Sequence, residues 1–247
     1  RVTAPLALCF EPPSRSRGAS PSRVVGYVMR ALENAIDLSR LGQRSFREGA
    51  KITNEDVLAI FRALSKTIAD LHARGIVVGD LNDGNVMLVA SALRRTAYLP
   101  WLIDVDSMQF GGHLCVVAHE RYLDPLLYNV DLGAGPSLTA ASDHYALAVL
   151  LFSSLLYVHP FGGTHASFPT ILRRAEARVS VLRSDVKLPK TAARLDVLDD
   201  DALAWLLDVF EKDKREPLPS SLLEMRFTRC SSCGLDYAEV RRACPAC

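Results

Sequence analysis

Three oxygen-bearing side chains stand at the ends of short apolar segments in the middle of the chain. Asp80 and Asn85 flank the polar turn of "VVGDLNDGNVMLV", and Asp104 ends the apolar run "WLID". Phosphoryl transfer needs a carboxylate that orients or deprotonates a hydroxyl, and oxygen ligands that hold Mg²⁺ on the nucleotide phosphates. These side chains are the right types for both tasks. The spacing alone is weak evidence, because Asp and Asn are favoured in turns for their own hydrogen bonds.

A second constellation lies in the segment "CSSCGLDYAEVRRACPAC". It holds two Cys-x-x-Cys pairs, formed by Cys230, Cys233, Cys244 and Cys247. Two such pairs complete a tetrahedral four-thiolate zinc site, which has no open position and is therefore structural. The alternative, two disulfides, is disfavoured in a reducing setting. Cys9 and Cys115 stand among apolar residues and are predicted to be inert core thiols.

Composition limits the classes of function. The 247 residues carry 29 basic and 28 acidic side chains, a formal net charge of +1. This balance argues against bulk electrostatic binding to nucleic acid or to an anionic membrane. No apolar run reaches the roughly 20 residues of a membrane helix, and no signal-peptide pattern is present, so a cytoplasmic location is expected. The chain begins at Arg1, and we expect further residues upstream.

Local patterns predict the elements that position these groups. Strands are predicted in "PLALCF" and "VVGYVMRAL", joined by the solvated loop "EPPSRSRGASPSR", and again in "NVMLV" and "AYLPWLIDVDS". Residues 52–75 show a helical apolar period that starts with a capping box at Thr53 and Asp56. Residues 142–160 are apolar on nearly every side, which predicts a central core helix. A further helix is predicted over 199–213, with acidic residues at its N-terminus.

The order of these motifs resembles the C-terminal lobe of eukaryotic-like protein kinases. "GDLNDGN" stands where that family has its catalytic loop, "IDVDS" where it has Asp-Phe-Gly, and "ERYLDP" where the activation segment ends. "SDHYALAVLLFSSLLYVHPF" resembles the buried helix that follows. The chain looks closest to atypical bacterial kinases whose catalytic loop reads Gly-Asp-Leu-Asn and which often carry zinc-ribbon tails.

The resemblance implies a role for each matching residue. Asp80 matches the catalytic aspartate, Asn85 and Asp104 match the Mg²⁺ ligands, and Asp143 matches an aspartate that braces the catalytic-loop backbone. Asn82 stands where protein kinases place a lysine beside the transferred phosphate. The segment "VVGYVMRAL" resembles the strand that leads into the nucleotide hinge, which implies ATP contacts from Met29, Arg30, Ala31 and Leu32.

Several positions depart from the family pattern. Val78 and Gly79 replace the usual His-Arg before the aspartate, so no arginine is available to bind a phosphate on the activation segment. Ser107 is the sole hydroxyl residue of "SMQFGGHLCVVAHE", and we expect no activation by phosphorylation of this segment. The glycine-rich loop, the phosphate-anchoring lysine and its glutamate partner are absent from the printed sequence, and Leu126 replaces a structural glutamate.

The sequence therefore predicts an α+β, protein-kinase-like fold. It would comprise a remnant of the N-terminal lobe and hinge over 1–32, a C-terminal lobe over 33–225 and a zinc ribbon over 226–247. The predicted activity is ATP- and Mg²⁺-dependent transfer to a protein hydroxyl, with the serine/threonine type favoured. Its partner would be a protein substrate or a signalling protein. Two alternatives remain open: a small-molecule phosphotransferase of the aminoglycoside-kinase type, and a pseudokinase scaffold that recruits partners.

Overall fold

The computed structural model describes residues 1–11, 23–91 and 98–247. Within these ranges the chain is an α+β protein, as predicted from the sequence. Its α-helices are α1 (Arg44–Ala50), α2 (Asn54–His72), α3 (Ala140–Leu156), α4 (Ile171–Glu176), α5 (Asp200–Glu211) and α6 (Ser220–Leu223). Its strands are β1 (Pro5–Phe10), β2 (Val24–Met29), β3 (Ile36–Asp37), β4 (Val86–Ala90), β5 (Tyr98–Leu102), β6 (Phe227–Arg229) and β7 (Asp236–Ala238). The predicted loop between β1 and β2 lies, apart from its end residues, outside the described residues.

Helix α3 lies at the centre of the hydrophobic core. Its side chains are buried on every face, which is why its sequence shows almost no polar stripe. Phe152 of α3 meets Phe210 of α5 edge to face, with ring centroids 5.4 Å apart, and Phe161 packs on the same ring at 5.9 Å. The prediction of a central core helix is confirmed.

Helix α2 delivers the chain to the polar turn around Asp80. Its capping box forms as predicted: the Thr53 hydroxyl accepts from the Asp56 amide, and the Asp56 carboxylate accepts from the Thr53 amide at 2.9 Å. The apolar face of α2 is buried against α3 and β5. The helix ends at His72, and the chain then passes through Gly75, with a φ of +72°, toward the turn.

The antiparallel sheet β3–β4–β5 brings two of the predicted site residues to the same end of a hairpin. Val86 of β4 pairs with Leu102 of β5. Asn85 precedes the first of these residues and Asp104 follows the second by two positions. The Ile103 amide donates to the Asn85 carbonyl at 3.0 Å, which continues the pairing past the strand ends. The register of this hairpin therefore places Asn85 near the segment that carries Asp104.

The two remaining sheets differ in how they contact the core. The β1–β2 hairpin exposes most of its apolar side chains, among them Leu6 and Val25, and Cys9 is exposed too, so the prediction of a buried Cys9 is wrong. The β6–β7 hairpin instead buries Tyr237 and Ala238 in the core cluster. Over the described ranges, no helix has the length and apolar character to cross a membrane.

Candidate active site and four-cysteine cluster

The turn that carries Asp80, here named the Asp80 loop (residues 78–85), is built around the amide side chain of Asn82. The Asn82 Oδ1 atom accepts from the amides of Gly84 at 2.9 Å and Asn85 at 3.1 Å. Its Nδ2 atom donates to the Asp80 carbonyl at 3.1 Å. Asn82 is buried, so this side chain is engaged inside the loop that it shapes. Its part in nucleotide binding stays a prediction.

Asp80 and Asn85 are in direct contact. The Asn85 Nδ2 atom donates to the Asp80 carbonyl at 3.0 Å and to the Asp80 Oδ2 atom at 3.2 Å. The other carboxylate oxygen of Asp80 accepts from the His119 amide at 2.7 Å. Both side chains are only partly buried, so the loop presents a fixed, solvent-accessible carboxylate beside an amide oxygen. The donor at position 119 could not be foreseen from sequence, because it is a backbone group from a distant segment.

Asp143 binds the backbone of the Asp80 loop from the side of the hydrophobic core. Its side chain is fully buried on α3 and accepts from the amides of Val78 at 2.8 Å and Gly79 at 2.9 Å. These are the contacts that the kinase resemblance implies for this residue. The structure adds His72, whose Nε2 atom lies 2.7 Å from the Asp143 carboxylate. The position of His72 in the last turn of α2, close to the loop, was the one available signal for it.

Asp104 begins the segment after β5 in a left-handed conformation, with φ 59° and ψ 47°. Such a backbone is uncommon for a residue other than glycine, and Asp and Asn adopt it more readily than most other residues. Ser107 stabilises it, since its hydroxyl donates to the Asp104 carbonyl at 2.8 Å. The pKa of Asp104 is raised by partial burial, by the charge and hydrogen bond of Asp106, and by the charge of Asp80.

This crowding of carboxylates bears on the predicted Mg²⁺ site. The negative charges of Asp106 and Asp80 both act on Asp104, and an oxygen-liganded divalent cation would relieve that repulsion. Asn85 adds a neutral amide oxygen next to Asp80. The donor set is therefore of the type that Mg²⁺ prefers, and the residues fit the predicted ion.

The four predicted hinge residues stand at the end of β2 and directly after it, at the side of β5. Met29 ends β2, and Arg30 places its guanidinium over the Trp101 ring at 5.7 Å. Trp101 stands on β5, three residues before Asp104. Arg30 and Ala31 are exposed and Leu32 is half-buried. The segment thus runs beside the strand that leads to Asp104, and its contacts with a nucleotide stay predictions.

A buried ion pair holds the segment that follows His119, the residue whose amide donates to Asp80. Asp124 and Arg215 form two hydrogen bonds, of 2.5 Å and 2.7 Å, and the Arg215 guanidinium stacks on Tyr145 at 4.7 Å. Sequence reasoning noted the missing glutamate at Leu126 but missed this pair. Asp124 lies directly before Pro125 and caps the short helix there by accepting from the Leu126 amide, so its carboxylate was readable as a cap but not as an ion-pair partner.

The four terminal cysteines converge on one point. Their sulfur atoms all lie within 4.8 Å of one another, with Cys230–Cys247, Cys233–Cys244 and Cys233–Cys247 separations of 3.5, 3.6 and 3.7 Å. All four are free thiols. A tetrahedral ion with sulfur bonds of about 2.3 Å has sulfur–sulfur edges of about 3.8 Å. The cluster therefore has the size of a four-thiolate metal site.

The local backbone also suits a metal site. Gly234, with a φ of +74°, donates to the Cys230 carbonyl at 2.9 Å and closes the turn after the first pair. The amides of Cys233 and Ser232 lower the pKa of Cys230 to about 6. Because the thiolate is the ligand form, this turn prepares Cys230 to bind a cation.

Comparison with known proteins points in the same direction as the site. The lipopolysaccharide kinase (Kdo/WaaP) family matches residues 15–110, a range that contains Asp80, Asn85 and Asp104. The protein kinase YegI of Escherichia coli O157:H7 is 27% identical over 160 residues, and that of strain K12 is 26% identical. Each alignment covers 62% of this chain but only 23% of the relative, so the chain spans about a quarter of their length.

These matches support a protein-kinase-like superfamily for the chain and the class of a kinase-like phosphotransferase. They differ in the acceptor that their names imply, a lipopolysaccharide in one case and a protein in the other. The family match ends before α3 and the cysteine cluster, so it says nothing about either of them.

Proposed function

We propose that this chain is the catalytic lobe of a protein-kinase-like enzyme that transfers the γ-phosphate of Mg-ATP to a hydroxyl group. The observation that carries the proposal is the geometry of the Asp80 loop. One carboxylate oxygen of Asp80 accepts from the Asn85 side chain, and the other accepts from the amide of residue 119. The buried Asp143 carboxylate accepts from the backbone amide of Gly79 in the same loop. An incidental turn would not need ties to two distant segments.

Each residue of the proposed site has a chemical role. Asp80 orients the attacking hydroxyl and accepts its proton, as a carboxylate within hydrogen-bond reach of the nucleophile can. Asn85 and Asp104 would hold Mg²⁺, which neutralises charge on the phosphates when bound. Asp143 acts through the backbone of Val78 and Gly79 and is a positioning residue. The segment from Met29 to Leu32 would contact the adenine.

The acceptor that we propose is a protein hydroxyl, of the serine/threonine type. The curated relatives are named protein kinases, and their alignments extend over 160 residues, whereas the lipopolysaccharide kinase match covers 15–110. A carbohydrate or small-molecule hydroxyl is the competing acceptor. Dephosphorylated casein and a Kdo-containing lipopolysaccharide, offered separately with radiolabelled ATP, distinguish the two.

The decisive experiment uses the full natural protein that contains this chain, with Asp80→Asn and Asp104→Asn variants. We expect each variant to lose roughly 10²–10⁴-fold in Mg-ATP turnover, because a base or a metal ligand is removed without a change of shape. Asp201→Asn, an exposed position on α5, is the matched control and should retain full turnover.

Unchanged turnover in both variants would contradict the assignment of the site. Nucleotide binding without any turnover in the unmodified protein would instead favour the pseudokinase scaffold. Transfer to the lipopolysaccharide but not to casein would retain the phosphotransferase and replace the acceptor.

We further propose that the four-cysteine cluster binds one structural Zn²⁺. All four ligand positions are occupied by protein sulfur, so the ion would hold the β6–β7 hairpin together and take no part in phosphoryl transfer. Metal analysis of freshly purified, reduced protein should find one zinc per chain.

A further inference from the structure

One glycine of the Asp80 loop is in unusually close contact with a distant side chain. Gly79 has a φ of +75°, and a Cβ atom added there would lie 2.6 Å from the sulfur of Cys115 and 2.9 Å from its Cβ. The next neighbour, Leu138, would be 3.4 Å away. Real Cβ atoms do not approach other heavy atoms so closely. The absence of a side chain at position 79 is therefore a steric requirement of Cys115.

Cys115 is also fixed by burial and by a hydrogen bond within its own segment. It is 2% exposed, and its thiol donates to the Val117 carbonyl at 3.0 Å. Burial raises its pKa, so the thiol stays protonated and can keep that hydrogen bond. The sulfur thus fills a closed space and is held there by the backbone of its own segment. The prediction of a buried Cys115 is confirmed.

The Gly79–Cys115 contact lies between two other links that join the same pair of segments. Val77 and Gln109 exchange two backbone hydrogen bonds of 2.9 Å before it, and the His119 amide donates to Asp80 after it. Segment 109–119 therefore touches residues 77–80 at three successive points. Only the middle point depends on side-chain packing.

Position 79 is also coupled directly to the proposed base. Its amide donates to Asp143, and Asp80 is the next residue along the chain. A shift of the backbone at Gly79 would move the Asp80 carboxylate and loosen its brace at once. A displacement of about 1 Å at a reacting group can cost about 10²-fold in rate.

We propose that Cys115 is a positioning residue: its buried side chain occupies the space left by Gly79 and so holds segment 109–119 against the Asp80 loop without any covalent modification. This inference rests on the proposed function, since it assigns Cys115 a part in holding the proposed base.

The test compares two glycines with the same backbone conformation. Gly75 has a φ of +72° and nothing within 4 Å of an added Cβ, so Gly75→Ala introduces the backbone strain without the clash. In the full natural protein we expect Gly79→Ala to lower kcat for Mg-ATP turnover about 10- to 100-fold, with KM for ATP changed less than about threefold. Gly75→Ala should keep kcat within about threefold of the unmodified protein.

Rescue at Cys115 then identifies the partner. Combining Gly79→Ala with Cys115→Gly removes both clashing atoms and should restore most of kcat, whereas Cys115→Ala leaves the Cβ at 2.9 Å and should restore less. This graded recovery is not expected if the loss reflects backbone strain alone. Equal kcat in Gly79→Ala and Gly75→Ala, or no recovery in the double variants, would overturn the proposal.

A second measurement keeps the inference separate from the proposed function. Hydrogen exchange at the His119 and Val77 amides reports the fastening of the segment whether or not the protein turns over ATP. Faster exchange in Gly79→Ala than in Gly75→Ala supports the contact, and equal exchange overturns it. Loss of the proposed function would appear instead as absent turnover in the unmodified protein.

Discussion

The Asp80 loop and the four-cysteine cluster acquire their geometry from different sources. The loop is held by groups 39 and 64 positions further along the chain, at His119 and Asp143, of which the second is fully buried. The cysteines lie within 17 positions of one another, in the turn of a hairpin with three-residue strands and in the segment that follows it. The first site is thus a product of the folded core. The second is a product of local sequence, in which closely spaced cysteines meet.

This difference explains why the two sites are readable to different degrees. Short-range ligand spacing restricts the cysteine geometry before the rest of the chain folds, because the two-residue spacers already orient each pair. The Asp80 loop has no such local restriction. Its Asp and Asn would serve equally well in an ordinary turn, and the contacts from α3 and from the His119 amide distinguish it.

Removal of the proposed Zn²⁺ should have the largest effect and would test whether the cysteine cluster is held locally. Structural zinc sites in peptides have apparent binding free energies of about 10–16 kcal/mol, so a chelator or Cys233→Ser should unfold the terminal hairpin. Tyr237 and Ala238 would lose their burial, and amide exchange in β7 would rise sharply. Cys9→Ser, at an exposed thiol outside the cluster, is the matched control. Unchanged exchange after verified zinc loss would mean that packing alone holds the hairpin.

Truncation of the brace should have the next largest effect and would test whether the Asp80 loop is held by a distant residue. Asp143→Ala leaves the amides of Val78 and Gly79 and the ring of His72 without their acceptor. We expect the free energy of unfolding to fall by about 3–5 kcal/mol, as for other buried charge networks. Urea denaturation measures it, and Asp201→Ala on the exposed start of α5 should change stability by less than about 0.5 kcal/mol. A small change in the free energy of unfolding for Asp143→Ala would show that the Asp80 loop keeps its conformation without Asp143.

A pH effect inside the core should be somewhat smaller. Burial, together with the charges of Arg121 and Arg174, lowers the pKa of His159 from its usual 6.5 to about 4, although its hydrogen bond to the Arg121 carbonyl opposes this. Between pH 4 and pH 6.5 the unfolded chain therefore binds more protons at this position than the folded chain. The contribution of His159 to the free energy of unfolding is complete above pH 6.5 and is lost as the pH drops toward 4. The loss from this residue is about 3 kcal/mol.

The measurement is the free energy of unfolding at pH 7 and at pH 4.5, in the natural protein and in His159→Asn. The fall in the free energy of unfolding between pH 7 and pH 4.5 should be much smaller in the variant. The asparagine amide can still accept from the Phe161 amide but cannot take up a proton. An identical decrease in both proteins would mean that other groups control acid stability. A smaller decrease in His159→Asn would show that the buried core, and not the exposed terminal hairpin, determines the acid stability.

The sequence by itself determined the features that depend on neighbouring residues. The capping box of α2, the all-round apolar character of α3 and the paired cysteines each follow from local spacing, and the structure shows each where it was predicted. The mixed α+β class follows from the same periodicities. These signals are readable because helix periodicity, capping and ligand spacing act within a few residues.

Only the tertiary structure decided which groups meet around Asp80. No local pattern indicates that the His119 amide or the side chain of Cys115 reaches the Asp80 loop, that His72 meets Asp143, or that Asp124 pairs with Arg215. It also placed Cys9 in solvent, because the apolar neighbours that suggested burial lie on a hairpin that packs little of its surface. Contacts between distant segments depend on how helices and strands pack, and that packing is a property of the whole chain.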